Sequence, residues 1–507
     1  MPIVSSPPAA ESLPLDLYNA AAVRELDRIA IDEFAIPGIL LMKRAARAAF
    51  AALLARWPQV EQLHVFCGTG NNGGDGFIVA ALARQRGLAV TVWQVGAIDK
   101  IGGDAAKARQ FAIREQVEIK TFDGVVPQAG VIVDALLGTG LSGSVRAPYN
   151  EAIGAINASG LPVLALDIPS GLCSDTGSIL GCAVSADATI SFIGLKQGLF
   201  TGSGPDCGGR VLFADLAVPT VAIERVVPTA KRLQLETLSV LLPPRVRNAH
   251  KGLYGHVLVI GGDYGMAGAV LMAAQAAARV GAGLVSCATR PEHISAVVAR
   301  CPEIMAHGVR SRGDLEPLLA RATTIVVGPG LGRQAWGEQL LQCVYEHAAN
   351  GASNLVVDAD ALNILAGRRA VTQPHSAQWV LTPHPGEAAR LLGCSNAEVQ
   401  RDRFAAAHAL QQRYGGAAIL KGAGSLVATA SGMGVSNYGN PGMASGGMGD
   451  VLSGVLGGLL AQGLSIDEAA ALGTCLHGEA GDLAAAGGER GLLATDLLPQ
   501  LRALVNR

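Results

Sequence analysis

The 507-residue chain is poor in charge and in aromatic side chains. Only 16% of its residues are Asp, Glu, Lys or Arg, and 41 acids against 39 bases leave a formal net charge of −2. That balance excludes the basic surface that nucleic acid or an anionic membrane requires. Aromatic residues make up 4% of a chain that is 50% hydrophobic. Its cores therefore have to be built from Ala, Val, Leu and Ile, and disorder is excluded for most of its length. The nine cysteines are odd in number and contain no C-x-x-C pair, the usage of a reducing compartment and not of a zinc site. No basic residue precedes an apolar run at the amino terminus, so no signal peptide is expected. The longest uncharged stretch, 422–449, is broken by Gly, Ser, Asn and Pro and cannot span a bilayer as a helix. The expectation is a cytoplasmic protein whose partners are small molecules, with neither nucleic acid nor membrane among them. No G-x-x-x-x-G-K-[ST] occurs, which excludes a P-loop NTPase.

Glycine is what the chain has in excess: 65 residues, nearly twice the usual share of about 7%. With 24 prolines, Pro plus Gly stays below the roughly 25–30% of low-complexity chains, so the glycines belong to ordered loops. At about 150 residues per domain the length predicts two large domains or three smaller ones. Residues 17–57 read as two helices parted by Pro37-Gly38. Beyond them, short runs apolar on both faces (QLHVFC, AVTVWQV, VIVDALL, PVLALDIP, ATISFIG, RVLFADL) alternate with Ala-rich helical stretches. That is the pattern of a parallel sheet covered on both sides. Residues 217–247 lack a clear period and carry four prolines, which places a domain boundary near 225–240. The alternation restarts with HVLVIGG and continues through LVSCATR, TTIVVGPG, NLVVDAD, WVLTPHP and AAILKG. The fold expected is α/β: two αβα three-layer domains in tandem, 1–228 and 229–507, without internal duplication.

In the first half, Gly68-Thr69-Gly70-Asn71-Asn72-Gly73-Gly74-Asp75-Gly76 falls between a strand and a helix, where backbone N–H groups favour an anion. Its G-x-G-x-x-G is a weak signal alone. The dinucleotide fingerprint also needs an acid at the end of the next strand, and that strand ends in Gln94-Val95, which argues against an ordinary NAD dehydrogenase. A second such loop, Gly138-Thr139-Gly140-Leu141-Ser142-Gly143-Ser144, follows the strand of Asp134, with Pro148 delaying the helix. Each loop reads either as a tight turn or as a phosphate contact; together, at neighbouring strand ends, they favour a dinucleotide site. Asn72, Asp134 and Ser170 offer hard oxygens at converging strand ends, suited to a cation or to capping turns.

In the second half, Asn440-Pro441-Gly442-Met443-Ala444-Ser445-Gly446-Gly447-Met448-Gly449-Asp450 precedes a helix expected to begin at VLSGVL. Its glycines let successive N–H groups face one point, an anion hole at the positive helix end. Asp450 beside it reads as a general base for an attacking hydroxyl or as a helix cap. The strand-end motifs GPGLG (328–332), DADALN (358–363), TPHPGE (382–387) and KGAG (421–424) point to the same site. His384, held between prolines, reads as a ligand contact. Lys421 reads as the partner of a nucleotide phosphate or of a structural carboxylate.

The constellation GTGNNGGDG, VDALLGTG and DIPSG closely resembles the YjeF N-terminal domain, the NAD(P)H-hydrate epimerases, over about 17–219. The resemblance implies a Rossmann-like fold, with Asn71, Asn72, Gly73, Gly74, Asp75, the loop Gly138 to Ser144 and Asp167 contacting the hydrated dinucleotide. It further implies potassium on Asn72, Asp134 and Ser170. The chain departs from many relatives at Met42-Lys43-Arg44-Ala45-Ala46, where they read M-E-N-A-G. GPGLG, DADALN, TPHPGE and NPGMASGGMGD resemble the ribokinase-like NAD(P)H-hydrate dehydratases over roughly 243–506. That resemblance implies contacts with hydrated substrate at Ala269, Gly332, His384 and Asp450. It implies adenine-nucleotide contacts at Lys421, Gly422, Ala423, Gly424, Ser425 and Gly449. Together the two resemblances imply a bifunctional repair enzyme, a homo-oligomer that epimerises the R and S hydrates of NADH and NADPH. It would dehydrate the S form, with ADP as co-substrate carrying Mg2+ and giving AMP and phosphate. Asp167, beside Ser170 in DIPSG, is then the expected epimerase acid/base, with turn capping as its alternative, and Asp450 the dehydratase base. A ribokinase-type small-molecule kinase and a YjeF-like binding module are the rival readings; the retained Asn72, Asp134, Asp167 and Ser170 argue against the second.

Overall fold

The computed structural model describes residues 13–349, 353–367 and 375–506; residues 1–12, where the sequence predicts no signal peptide, lie outside them. The chain divides into two compact units, Met1–Lys231 and Arg232–Arg507. In the first, seven parallel strands lie in the spatial order Glu118–Thr121, Ala89–Gln94, Gln62–Cys67, Val131–Ala135, Val163–Leu166, Ala188–Phe192 and Arg210–Ala214. Chain order reverses between Gln62–Cys67 and Val131–Ala135, and a crevice opens at the carboxyl ends where strands part in this way.

The doubly apolar runs follow from cover on both faces. Leu63, Val65, Cys67, Val131, Val133 and Ala135 enter one core with the helices Gly38–Arg56 and Asn71–Gln85. Phe66, Ile132, Val163 and Ala165 enter a second core with Ile153 and Ile156 of the helix Tyr149–Ala158. Beside this sheet, Asp16–Tyr18 pairs antiparallel with Ala230–Arg232 and parallel with Leu195–Lys196. The region 17–57 opens with that strand and holds the helices Ala20–Arg28 and Gly38–Arg56, with a π-helical turn, Ile29–Glu33, after the first. Asn19 starts the first helix by accepting the Ala22 N–H at 2.8 Å, an N-cap.

In the second unit, parallel strands run in the order Met305–Gly308, Leu284–Thr289, His256–Ile260, Thr324–Val327, Asn354–Val357, Trp379–Leu381 and Ala417–Leu420. The antiparallel strands Ser425–Thr429 and Gly432–Ser436 then extend the sheet. Its reversal lies between His256–Ile260 and Thr324–Val327. Helices Ala267–Val280 and Met448–Ala461 pack together over Val257, Val259 and Val326. Glycine permits this: a Cβ on Gly454 would overlap the Ala273 carbonyl, and one on Gly457 would overlap Val326. The close approach fixes where the amino end of Met448–Ala461 stands above the sheet. Gly454→Val should therefore destabilise this unit by about 1–3 kcal/mol, the usual cost of overpacking, lowering its thermal midpoint; an unchanged midpoint would show that the helix can slide.

Candidate active sites in the two units

The first crevice is built from three strand-end loops. The helix Asn71–Gln85 begins inside the first glycine motif, with Gly70 as N-cap, so Asn72, Gly73 and Gly74 are buried in its first turn while Asn71 is exposed. Gly73 packs on the Gly68 backbone too closely for any side chain. Asp134, fully buried, accepts the Ser170 hydroxyl at 2.6 Å, the Ser170 N–H at 2.8 Å and the Leu136 N–H at 3.2 Å. The Leu137 carbonyl accepts from the Asn72 amide at 3.1 Å and from the Ser170 hydroxyl at 3.2 Å. Asn72, Asp134 and Ser170 thus meet around one loop. The Asn72 Oδ1 is buried with no hydrogen-bond partner, an acceptor aimed at nothing the protein supplies. Burial pushes the Asp134 carboxyl up to about 6 against the hydrogen bonds from Ser170 and Leu136.

Gly138 joins this cluster to Asp167: a Cβ there would stand 3.4 Å from the Asn72 Cβ and 4.0 Å from Asp167 Oδ2. The rest of the second loop, from Gly140 to Ser144, lies at or near the surface, and Thr69 meets the Tyr149 hydroxyl at 3.3 Å beneath it. Asp167 has a left-handed backbone, φ 67°, unusual away from glycine. It does not cap the turn at Pro169; its Oδ1 instead accepts the Phe192 N–H at 3.3 Å and the Lys196 ammonium. Asp75, in the same unit, is pushed well above its ordinary value by burial and by Asp167 and Asp27, against Lys196. Gln94, where a dehydrogenase carries its acid, spends its amide on the Cys67 and Val95 carbonyls.

The second crevice differs from expectation at its helix. Met448–Ala461 starts at Met448, two residues before Asp450, and its N-cap is Gly447 with φ 91°. Asp450 is therefore inside the first turn and not the cap, because glycine alone tolerates that cap geometry well. Burial pushes its carboxyl up to about 7, helped by Asp358 and Asp360 and opposed by Lys421. Lys421 is paired: its Nζ donates to the buried Asp358 at 2.9 Å, whose other oxygen accepts the Ser453 hydroxyl at 2.6 Å. Burial would strip the Lys421 proton, but Asp358, Glu387 and Asp450 outweigh it and hold the ammonium above its ordinary value. That ammonium still faces the helix end, 3.1 Å from where a Cβ on Gly449 would stand.

His384 caps the helix Pro385–Leu392, its Nδ1 accepting the Gly386 N–H at 3.0 Å, and remains largely exposed. Asp360 accepts the Gly332 N–H at 2.9 Å, and Ala269 abuts Gly330, 3.1 Å from a Cβ placed there. Ser425 exchanges hydrogen bonds with Gly422 at 3.3 and 3.1 Å, and the buried Arg403 ties the Leu420 and Lys421 carbonyls. The two acids of DADALN therefore do different work. Sequence reasoning passed over Lys196 and Asp27 in the first unit and the Asp263–Arg290 pair, 2.7 Å, beside Gly332 in the second. A lone lysine inside ISFIGLKQGLF was the available signal for Lys196. The divergent segment 42–46 is also placed: Met42 packs on Gly74, and Arg44 donates to the Leu216 carbonyl at 2.8 Å.

Two doubly wound sheets, each with ionisable groups gathered beyond the carboxyl ends of its parallel strands, define a two-site α/β enzyme. A family model described as NAD(P)H-hydrate dehydratase matches residues 257–502, and one described as YjeF-related protein N-terminus matches residues 39–198. The bifunctional NAD(P)H-hydrate repair enzyme Nnr of Coxiella burnetii is 51% identical over 493 residues, covering 97% of this chain and 99% of that one. Its namesake from Escherichia coli is 44% identical over 498 residues, covering 98% and 95%. A solved ribokinase-like superfamily protein from Enterococcus faecalis, 29% identical, covers 54% of this chain and 95% of its own with a TM-score of 0.50. The chain belongs to the family of bifunctional NAD(P)H-hydrate repair enzymes.

Proposed function

We propose that the first unit interconverts the R and S hydrates of NADH and NADPH at the Asn72–Asp134–Asp167 crevice. The second unit dehydrates the S hydrate at the Asp450 helix end, with ADP as phosphoryl donor. The 51% identity to a bifunctional repair enzyme, over 97% of this chain and 99% of that one, carries this reading. The nine cysteines, none of them paired, suit a cytoplasmic setting.

In the dehydratase unit, the N–H groups of the first turn of Met448–Ala461 have no partner within the helix and receive the β-phosphate of ADP. Asp450 takes the proton from the C6 hydroxyl as that oxygen attacks phosphorus and AMP leaves. The ring nitrogen lone pair expels phosphate, and loss of the C5 proton restores the C5–C6 double bond. Lys421 offsets the charge gathering at the helix end while Asp358 fixes it in place. Magnesium would come bound to the nucleotide phosphates, its usual carrier, and would offset their charge there. The Ala269–Gly332–His384 side of the crevice takes the hydrated substrate, and Lys421 to Ser425 with Gly449 take the adenine nucleotide.

In the epimerase unit, inversion at C6 needs that carbon to become planar, by ring opening or loss of water, and one group that both gives and takes a proton. Asp167 is that group. A potassium ion fits Asn72, Asp134 and Ser170, since the unpartnered Asn72 Oδ1 and a single carboxylate form a donor set of low charge; the ion would supply local positive charge that holds the loop and the substrate's anionic groups.

An R,S mixture of NADHX incubated with ADP, followed by the absorbance of reduced nicotinamide, tests both heads. The wild type should recover all of it. Asp450→Asn should lose about 10²–10⁴-fold in dehydration while still interconverting the epimers, and Asp167→Ala should consume the S hydrate quickly and leave the R hydrate to spontaneous epimerisation. Monophasic recovery by Asp167→Ala at the wild-type rate would remove Asp167 from the mechanism. Asp134→Ala should abolish any stimulation of epimerisation by potassium over sodium; equal stimulation in variant and wild type would place the ion elsewhere. Because Asp450 acts when ionised and sits at about 7, dehydration kcat/KM should fall about tenfold per pH unit below that value and level off above it. A flat profile across the same range would show that a different group takes the proton.

A further inference from the structure

Lys196 has no role in the proposed chemistry, yet it is among the largest fully buried side chains of the chain, with 1% of its side chain exposed. An ammonium is removed from water at high cost unless it is paired and fully hydrogen-bonded, so its partners explain why it is there. Its Nζ donates to Asp167 Oδ1 and, at 2.9 Å, to the Phe192 carbonyl. The Phe192 N–H in turn donates to the same Asp167 Oδ1 at 3.3 Å. Lysine and the backbone N–H and C=O of one residue thereby close a ring around a single carboxylate oxygen. Oδ2 is left on the other side, 4.0 Å from a Cβ placed on Gly138 and therefore facing the loop that also adjoins Asn72.

The backbone is bent to make this ring. Asp167 has φ 67° and Ile193, directly after Phe192, has φ 62°; a β-branched residue there is a costly outlier. The tight turn it forms, with the Gly194 N–H on the Phe192 carbonyl at 2.6 Å, leads into Leu195–Lys196, which Asp16–Tyr18 holds by parallel pairing. Asp27, on the helix that follows that strand, and Asp75 lie within electrostatic reach of the same ammonium. One cation thus serves three acids, only one of which it grips directly.

We propose that Lys196 is the positioning residue of the epimerase site, gripping Oδ1 of Asp167 so that Oδ2 is presented to the hydrated ring. This rests on Asp167 being the epimerase acid/base. Lys196 touches no reacting atom; its loss leaves the carboxylate free to rotate, and misplacement of a reacting group by about 1 Å costs on the order of 10²-fold.

The test uses the full chain, with dehydration of pure S hydrate in the same molecule as the control for folding. Lys196→Met should lower the epimerisation kcat about 10²-fold with KM little changed and dehydration intact. Lys196→Ala removes the equivalent of propylammonium, so added propylammonium should restore epimerisation in a saturable way while the isosteric propan-1-ol should not. A kcat close to wild type in Lys196→Met overturns the proposal. So does rescue by both additives, which would show that only volume was lost, or rescue by neither. Asp167→Asn, assayed alongside, keeps the two claims apart: an active Asp167→Asn defeats the acid/base reading itself, whereas an inactive Asp167→Asn beside an active Lys196→Met defeats only the role of Lys196.

Discussion

Each unit of this enzyme sets a lysine ammonium against an aspartate at the end of a parallel strand: the buried Lys196 on Asp167, and Lys421 on the buried Asp358. Parallel strands carry several polar groups toward one crevice, and carboxylates gathered there repel one another and lose solvent together. Without an internal cation, burial would leave them protonated and the crevice inert. One lysine per unit sets which acid is gripped and which is left available. In the second unit the gripped acid is Asp358, held below its ordinary value against burial by the Lys421 charge and by hydrogen bonds from Ser453, Lys421 and Thr382; the available acid is Asp450, near 7. In the first, the lysine grips one oxygen of Asp167, the acid proposed for epimerisation.

Glycine serves the same end by bringing backbone close to backbone. Gly454 and Gly457 draw the helix Met448–Ala461 down onto its neighbours and so set the height of Gly449 and Asp450 above the strand ends. Gly447, with φ 91°, turns the chain into that helix without spending a side chain on the cap. In the first unit Gly68 and Gly73 pack against backbone, which places Asn72 beside the Leu137 carbonyl. A chain with few aromatics compensates in this way: small residues permit short distances between helix and sheet, and close packing replaces bulk.

The two units share the strand order third, second, first, fourth and onward, yet carry different loops at the reversal. The first uses two glycine loops and a hydroxyl–carboxylate–amide cluster that suits a cation. The second uses a helix amino terminus that suits a phosphate and, beside Gly332, the Asp263–Arg290 pair with Trp336 stacked on the guanidinium at 4.1 Å. Common topology with unlike loops supports two reactions on one metabolite, because chemistry resides in the strand-end loops and not in the sheet.

From its residues alone the chain determined that it forms parallel α/β layers, because only strands covered on both faces tolerate runs such as VIVDA and TIVV. It also marked glycine loops at neighbouring strand ends as candidates for ligand contact, since backbone N–H groups between a strand and a helix favour an anion. Capping and pairing were decided by tertiary structure. Asp450 and Asp167 each carried a capping role as the alternative to a working acid, and only the helix start at Met448 and the partners of Asp167 removed the cap. Lys421 read as a phosphate ligand or an ion-pair partner until Asp358 was found against it. Lys196 and Asp27 carried no motif, and Asp263 and Arg290 are 27 residues apart. Their meaning lies in distances between segments remote in sequence, which hydrophobic periodicity and local spacing do not encode. Burial then sets the charge state of each acid, a property of the packed environment and not of the residue type.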